Sequence, residues 1–122
     1  MDRFPNQKYI AVETFRKNGI GVKTPVWFVE EDGLVWVVTR EKTGKVKRIK
    51  NNPKVNIAVS NFSGEPKSAW TAGIAAIVQG DIANKIIQKR NKKYGFMAKL
   101  VGIFSAKKGS YVVFSIDLDD SK

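Results

Sequence analysis

The chain has no cysteine and no histidine. Without cysteine there is no disulfide framework, no thiol nucleophile and no thiolate metal site. Without histidine the usual general base and the commonest transition-metal ligand are missing, which argues against triad hydrolysis and most zinc chemistry. No apolar run approaches the ~20 residues needed to span a bilayer, and the opening "MDRFPNQKY" carries no signal-peptide pattern. The acids "EED" (30–32) and "DLDD" (117–120) read as solvated charge, so paired carboxylates for acid–base work are not evident either. The expectation is a soluble cytoplasmic protein that borrows its reactive groups from a cofactor if it is an enzyme.

What is present is positive charge and a core. Lys plus Arg number 22 against 11 acids, a formal charge of +11. That excess predicts an anionic partner: nucleic acid, a lipid surface, or a small molecule bearing phosphate or carboxylate. A lysine-rich surface that serves only solubility has the same composition. The hydrophobic fraction is 43%, with 3 Trp, 3 Tyr and 7 Phe, which fits a folded globule. At 122 residues the chain is expected to form one domain over 1–122.

The first two-thirds read as antiparallel strands: 8–15, 20–29, 34–39, 54–62 and 69–81, with a last strand at 110–119. "RKNG" (16–19) and "EEDG" (30–33) are hairpin turns. Pro25 cannot donate to a ladder, so its strand has an edge or a bulge there. The glycines of 69–81 suggest bends or a close backbone approach. A short helix runs from Lys45 to Asn51 with Thr43 as N-cap and with Val46 and Ile49 facing inward. Pro53 stops it. Two more helical pieces follow, one from Asp81 to about Gly95 and one over 96–104, where Phe96, Leu100, Val101 and Phe104 share a side. "SAKKG" (105–109) reads as a loop. Six strands with turns about ten residues apart predict a closed or partly closed barrel.

The stretch "VVTREKTGKVKRIKNNPKV" (37–55) holds seven cations against one acid, Glu41. Lys45 and Arg48 share one helix face, Lys47 and Lys50 another. Free amides of Gly44 and Lys45 at the helix start, the dipole, and the hydroxyls of Thr39 and Thr43 converge as a phosphate site requires. A solvated helix face is the alternative reading of the same charges. For "KIIQKRNKK" (85–93) solvated charge is the leading reading, since no glycine, hydroxyl or helix start accompanies it. Trp27 and Trp36 read as structural, while Trp70, beside a turn and small residues, suits stacking on a planar ring. The basic charge sits on helices and turns rather than among strand aromatics, which disfavours nucleic acid.

The run "TPVWFVEEDGLVWVVTREKTGKVKRIKNNPKVNIAVSN" resembles the split β-barrel flavoproteins of the pyridoxamine 5′-phosphate oxidase-like superfamily, and within them the subgroup that binds the deazaflavin coenzyme F420. Thr43 stands where the pattern "SGKVKRI" has Ser, and Ser68 where "GxPxGxW" has its second Gly. "KRNKKYGFMAKLVGIF" is similar to that subgroup's helical segment, and the likeness covers roughly 8–118. It implies a mainly β, six-stranded antiparallel split barrel with small helices, dimeric, with two equivalent cofactor sites at the dimer interface. It places the coenzyme phosphate against Thr39, Lys45, Lys47 and Arg48, and the ring beside Thr24, Pro25, Val26 and Trp27. It also implies that residues around Lys67 and Trp70 approach the cofactor. The implied chemistry is hydride or electron transfer through F420, or through FMN as the alternative, to or from a small organic substrate. A coenzyme carrier without turnover and a basic nucleic-acid-binding barrel remain as other classes.

Overall fold

In the computed structural model, which describes residues 3–119, seven strands form one antiparallel sheet. In chain order they are β1 (Tyr9–Phe15), β2 (Gly21–Val26), β3 (Val29–Glu31), β4 (Leu34–Arg40), β5 (Lys54–Ser60), β6 (Thr71–Val78) and β7 (Tyr111–Leu118). Helix α1 (Gly44–Asn51) lies between β4 and β5, and α2 (Asp81–Tyr94) and α3 (Phe96–Ser105) lie between β6 and β7. The segment expected as a loop at 105–109 contains a 3-10 turn, Ala106–Lys108. Asp120, the last of the C-terminal acids, lies outside the described residues. Among the described residues, no helix is long and apolar enough to cross a membrane.

The expected count of six strands is corrected to seven, because 20–29 is two strands. Its apolar alternation is unbroken in sequence, yet Trp27 and Phe28 leave the ladder. Phe28 donates its backbone N–H to the Tyr94 hydroxyl (3.1 Å), and its carbonyl accepts from Lys93 Nζ (2.8 Å). Partners from α2 thus replace a strand. Glu30 and Glu31, expected in a turn, belong to β3, and the turn narrows to Asp32 and Gly33, both at positive φ (55° and 76°).

That break explains the closure. Across the sheet the order is β2-β1-β5-β6-β7-β4-β3, so two strands adjacent in sequence form opposite edges. A flat sheet of seven strands would hold its edges roughly 29 Å apart. Val26 and Val29 are three residues apart and cannot be separated by more than about 11 Å. The sheet must therefore curl until its edges nearly meet, joined by chain rather than by a ladder. Pro25 sits on the edge strand β2, where a missing N–H costs no sheet bond. The backbone amides of Arg3 and Phe4 bond the Glu30 carboxylate (2.8 and 3.0 Å), and Phe4 packs edge-on against Phe28.

The concave side holds Ile10, Val12, Val35, Val37, Ile57, Phe114 and Ile116, with Ile49 of α1 plugging one end. Each such side chain, fully buried, contributes about 1.5–3 kcal/mol. On the convex side Trp36 and Val113 pack against Ala83 and Ile86 of α2. Gly73 allows β6 and β7 to approach closely: a Cβ there would stand 2.9 Å from the Asp117 carbonyl. Helix α3 is different. Only Ala98 is buried, while Phe96 and Phe104 are 72% and 83% exposed.

Candidate functional site

Helix α1 begins where the sequence places it, and Val46 and Ile49 face the core (3% and 4% exposed). That leaves Lys45, Lys47, Arg48 and Lys50 for the outer faces. Thr43 is the N-cap residue with extended backbone, but its hydroxyl caps nothing in the helix. It donates back to the Arg40 carbonyl (2.9 Å) and lies 3.4 Å from the Thr39 hydroxyl. The first turn carries no acid and no side-chain cap. Its amides keep the positive end of the dipole open to an anion.

Two cavities flank this start. One, about 310 Å³, brings Gly44, Lys47 and Arg48 together with Arg16 and Lys17 from the β1–β2 turn. The other, about 370 Å³, is lined by Thr39, Thr43 and Lys108 among others. Lys45 is half-buried; burial, and then the charges of Arg48 and Lys108, lower its pKa from the ordinary 10.5. Arg48 Nε donates to the buried hydroxyl of Thr14 at 2.6 Å. Burial, and then the Arg16 charge, lower the Arg48 pKa as well. Among the described residues, no carboxylate pairs with Lys45, Lys47 or Arg48. Gly44 has a use the sequence did not show: a Cβ there would collide with the Arg48 guanidinium, so glycine lets that cation fold over the helix start.

The remaining expected residues lie elsewhere on the barrel. Thr24 pairs with Val12 in the ladder and shares its concave face with Val26. Its Oγ1 is buried with no hydrogen-bond partner among the described residues. Trp27 is not brought to the α1 start. It lies beyond the Ile10 end of β2, stacked on Tyr94 (4.3 Å between centroids, 9° between planes). The Tyr94 hydroxyl also donates to the Lys8 carbonyl (2.7 Å), and burial pushes its pKa up to about 12. Trp70 has Lys23 Nζ 5.2 Å from its ring centre. Lys67 is exposed on the 61–70 loop, whose fold is held by the Lys67 amide on the Val59 carbonyl (2.6 Å). Ser68, where the resemblance has Gly, accepts from the Val59 amide (2.9 Å).

Sequence reasoning missed Thr14, Arg16 and Lys17, though two cations in a hairpin turn were the visible signal. The solvated reading of "KIIQKRNKK" holds for the exposed Lys85 and Lys92 and is corrected for Arg90, which is buried. Lys85 and Lys89 bind Glu31 (3.3 and 3.1 Å), Lys93 holds the Phe28 carbonyl, and Arg90 is 5% exposed. Lys85, Lys89 and Lys93 clamp α2 to the β2–β3 link and β3, whereas Arg90 turns to the Tyr111 ring.

A curled antiparallel sheet with a helix of basic outer faces at one end describes a split-barrel protein. The model of the pyridoxamine 5′-phosphate oxidase family matches residues 1–121, and the chain belongs to that family. No curated protein sequence matches it significantly. Among solved structures it is similar to the heme storage protein HutZ from Vibrio cholerae (TM-score 0.73, 15% identity, 94% of this chain and 84% of that one). It is also similar to an F420 reductase (0.66, 19%, 94% and 90%). A third is a pyridoxamine 5′-phosphate oxidase-related, FMN-binding protein from Nostoc punctiforme (0.60, 16%, 91% and 70%). At these identities the likeness is one of fold.

Proposed function

We propose that the chain is a homodimeric oxidoreductase that binds coenzyme F420 and passes hydride between it and a small organic substrate, with FMN as the alternative coenzyme. The observation that carries this is the start of α1: uncapped amides with Lys45, Lys47 and Arg48, and no carboxylate among the described residues paired with any of them. A preformed cationic site of this kind favours a phosphate of the ligand. The bound coenzyme supplies redox chemistry that a chain without His or Cys does not itself provide. Thr39 and Thr43 add hydroxyls, and Thr24 to Trp27 with Lys67 and Trp70 flank the ring. The unpaired Thr24 hydroxyl supports that side of the reading. The outward apolar residues of α3 support a second copy as its cover.

An F420 reductase and an FMN-binding protein among the structural neighbours favour a flavin-type coenzyme. The likeness to a heme storage protein favours heme as a second reading. In this chain heme iron would have to take Tyr or Met rather than His or Cys.

Titration of the protein with F420, FMN and heme, followed by fluorescence and by the heme absorption band, separates the three. Micromolar FMN binding without an F420 response sinks the first choice. Reversing Lys45 and Arg48 to Glu should weaken coenzyme binding by at least about tenfold while circular dichroism is unchanged. If affinity survives, the phosphate is held elsewhere. Turnover is tested by screening reduced coenzyme against quinones and enones; binding without turnover makes the protein a carrier.

A further inference from the structure

A cavity of about 800 Å³ lies away from the first turn of α1. It lies on the convex face between α2, α3 and the ends of β4 and β7. Its floor is Tyr111, directly across the ladder from Arg40. The Arg40 guanidinium stands 3.7 Å from the centre of the Tyr111 ring and that of Arg90 stands 4.8 Å from it. Two cations over one phenol are held there by neutral groups alone. Arg40 bonds Ser105 Oγ and the carbonyls of Gly109 and Gly102, each at 3.0 Å. Among the described residues, Arg90 has Asn91 Oδ1 as its one hydrogen-bond partner (3.1 and 2.8 Å).

Among the described residues, no carboxylate pairs with either guanidinium. Arg90 is nonetheless 5% exposed. Burying a charge is costly unless it is paired, so a fold that keeps two such groups together calls for an anion. Lys99 adds a third cation to the lining, and no acid lines the cavity. Its outer walls are apolar: Phe96 and Ile103, each 72% exposed, with Ala98 behind them.

We propose that this cavity is a second ligand site, for a small organic acid whose carboxylate sits on Arg40 and Arg90 and whose apolar body lies along Phe96 and Ile103. The volume is that of a small-molecule site, and apolar walls around a few converging polar groups are its usual composition. Guanidinium forks match a carboxylate with two parallel bonds, which gives the site its preference over neutral analogues. The site adjoins the one read for the coenzyme, since Arg40, Arg90 and Tyr111 also line the cavity beside Thr39 and Thr43, but Lys45, Lys47 and Arg48 are not among its lining residues.

The test uses the full chain, with 2-naphthoate and decanoate as probes and 2-naphthamide as the uncharged control, by isothermal titration and by amide chemical-shift mapping. The expected result is saturable binding of at least one acid, with shifts at Arg90, Lys99, Gly102 and Tyr111, and binding of the amide weaker by about tenfold or more. Arg90→Met should weaken the acid by about tenfold or more; Lys99→Glu, at an exposed lining position, should do the same if Arg90→Met does not fold. Lys47→Glu should leave acid binding unchanged. Three results overturn the proposal: no binding of either acid at millimolar concentration, equal binding of acid and amide, or shifts that map to α1.

Discussion

Arg48 Nε donates to the Thr14 hydroxyl at 2.6 Å, and Thr14 is fully buried beneath it. The pair joins α1 to β1, so the cation at the helix start is held by the barrel itself. Thr14→Val removes the acceptor while keeping the shape. An unfulfilled donor at a partly buried cation should cost about 1–3 kcal/mol in urea unfolding. Coenzyme affinity should fall as well, because the guanidinium loses the contact that aims it.

Lys45 gives the coenzyme site a pH dependence. Its pKa is lowered from 10.5 by burial, then by Arg48 and Lys108. Between the lowered folded value and 10.5 the unfolded chain holds more protons. The penalty of the charged lysine is therefore complete below that window and is relieved as pH rises through it. A phosphate needs the charged form. Coenzyme affinity measured by fluorescence should hold at neutral pH and decline on the alkaline side below 10.5. Lys45→Arg keeps its charge there and should flatten the decline; an unchanged profile in that variant would remove Lys45 from the site.

Tyr94 carries the opposite sign. Burial raises its pKa from 10.0 to about 12, partly offset by the bond to the Phe28 carbonyl. The folded chain then holds the phenol proton more tightly than the unfolded chain. That stabilisation is complete below pH 10 and is lost as pH rises towards 12. Solvent screening at this half-buried phenol keeps the effect below the roughly 2.7 kcal/mol that two pKa units would give. Urea unfolding at alkaline pH should show this loss in the wild type, and Tyr94→Phe should lack it. The phenol absorbance should titrate late for one tyrosine.

The apolar outer face of α3 should be covered in solution. Phe104 is 83% exposed, so Phe104→Glu disturbs no packing within the chain. Sedimentation equilibrium should show a dimer for the wild type and a monomer for this variant, with its monomer fold retained by circular dichroism. A monomeric wild type would leave that helix face without its proposed cover.

Much of the barrel was legible because strand alternation and turn glycines are local signals. The strand 20–29 was misread for the same reason: its period is unbroken, and only Tyr94 and Lys93, more than sixty residues later, take Phe28 out of the ladder. Helix α1, its inward pair Val46 and Ile49, and its basic outer faces followed from spacing of 3.6 residues. Thr14 was not legible as a partner, since a threonine on a strand shows nothing of the helix that will lie over it. Arg90 was hidden inside a lysine run that looked solvated throughout.

The sequence by itself determined the class of chemistry open to this protein, because residue types absent from a chain cannot be restored by folding it. It also determined where one cluster of cations begins a helix, since capping and period act within a few residues. Tertiary structure alone decided which cations keep a free charge. Lys85 and Lys89 fall beside Glu31, whereas Arg40 and Arg90 meet over Tyr111 with no acid between them. Charge in a sequence is only a sum; curling the sheet and laying α2 across it sets the distances, and distance and burial decide whether a cation is spent on the fold or left for a ligand.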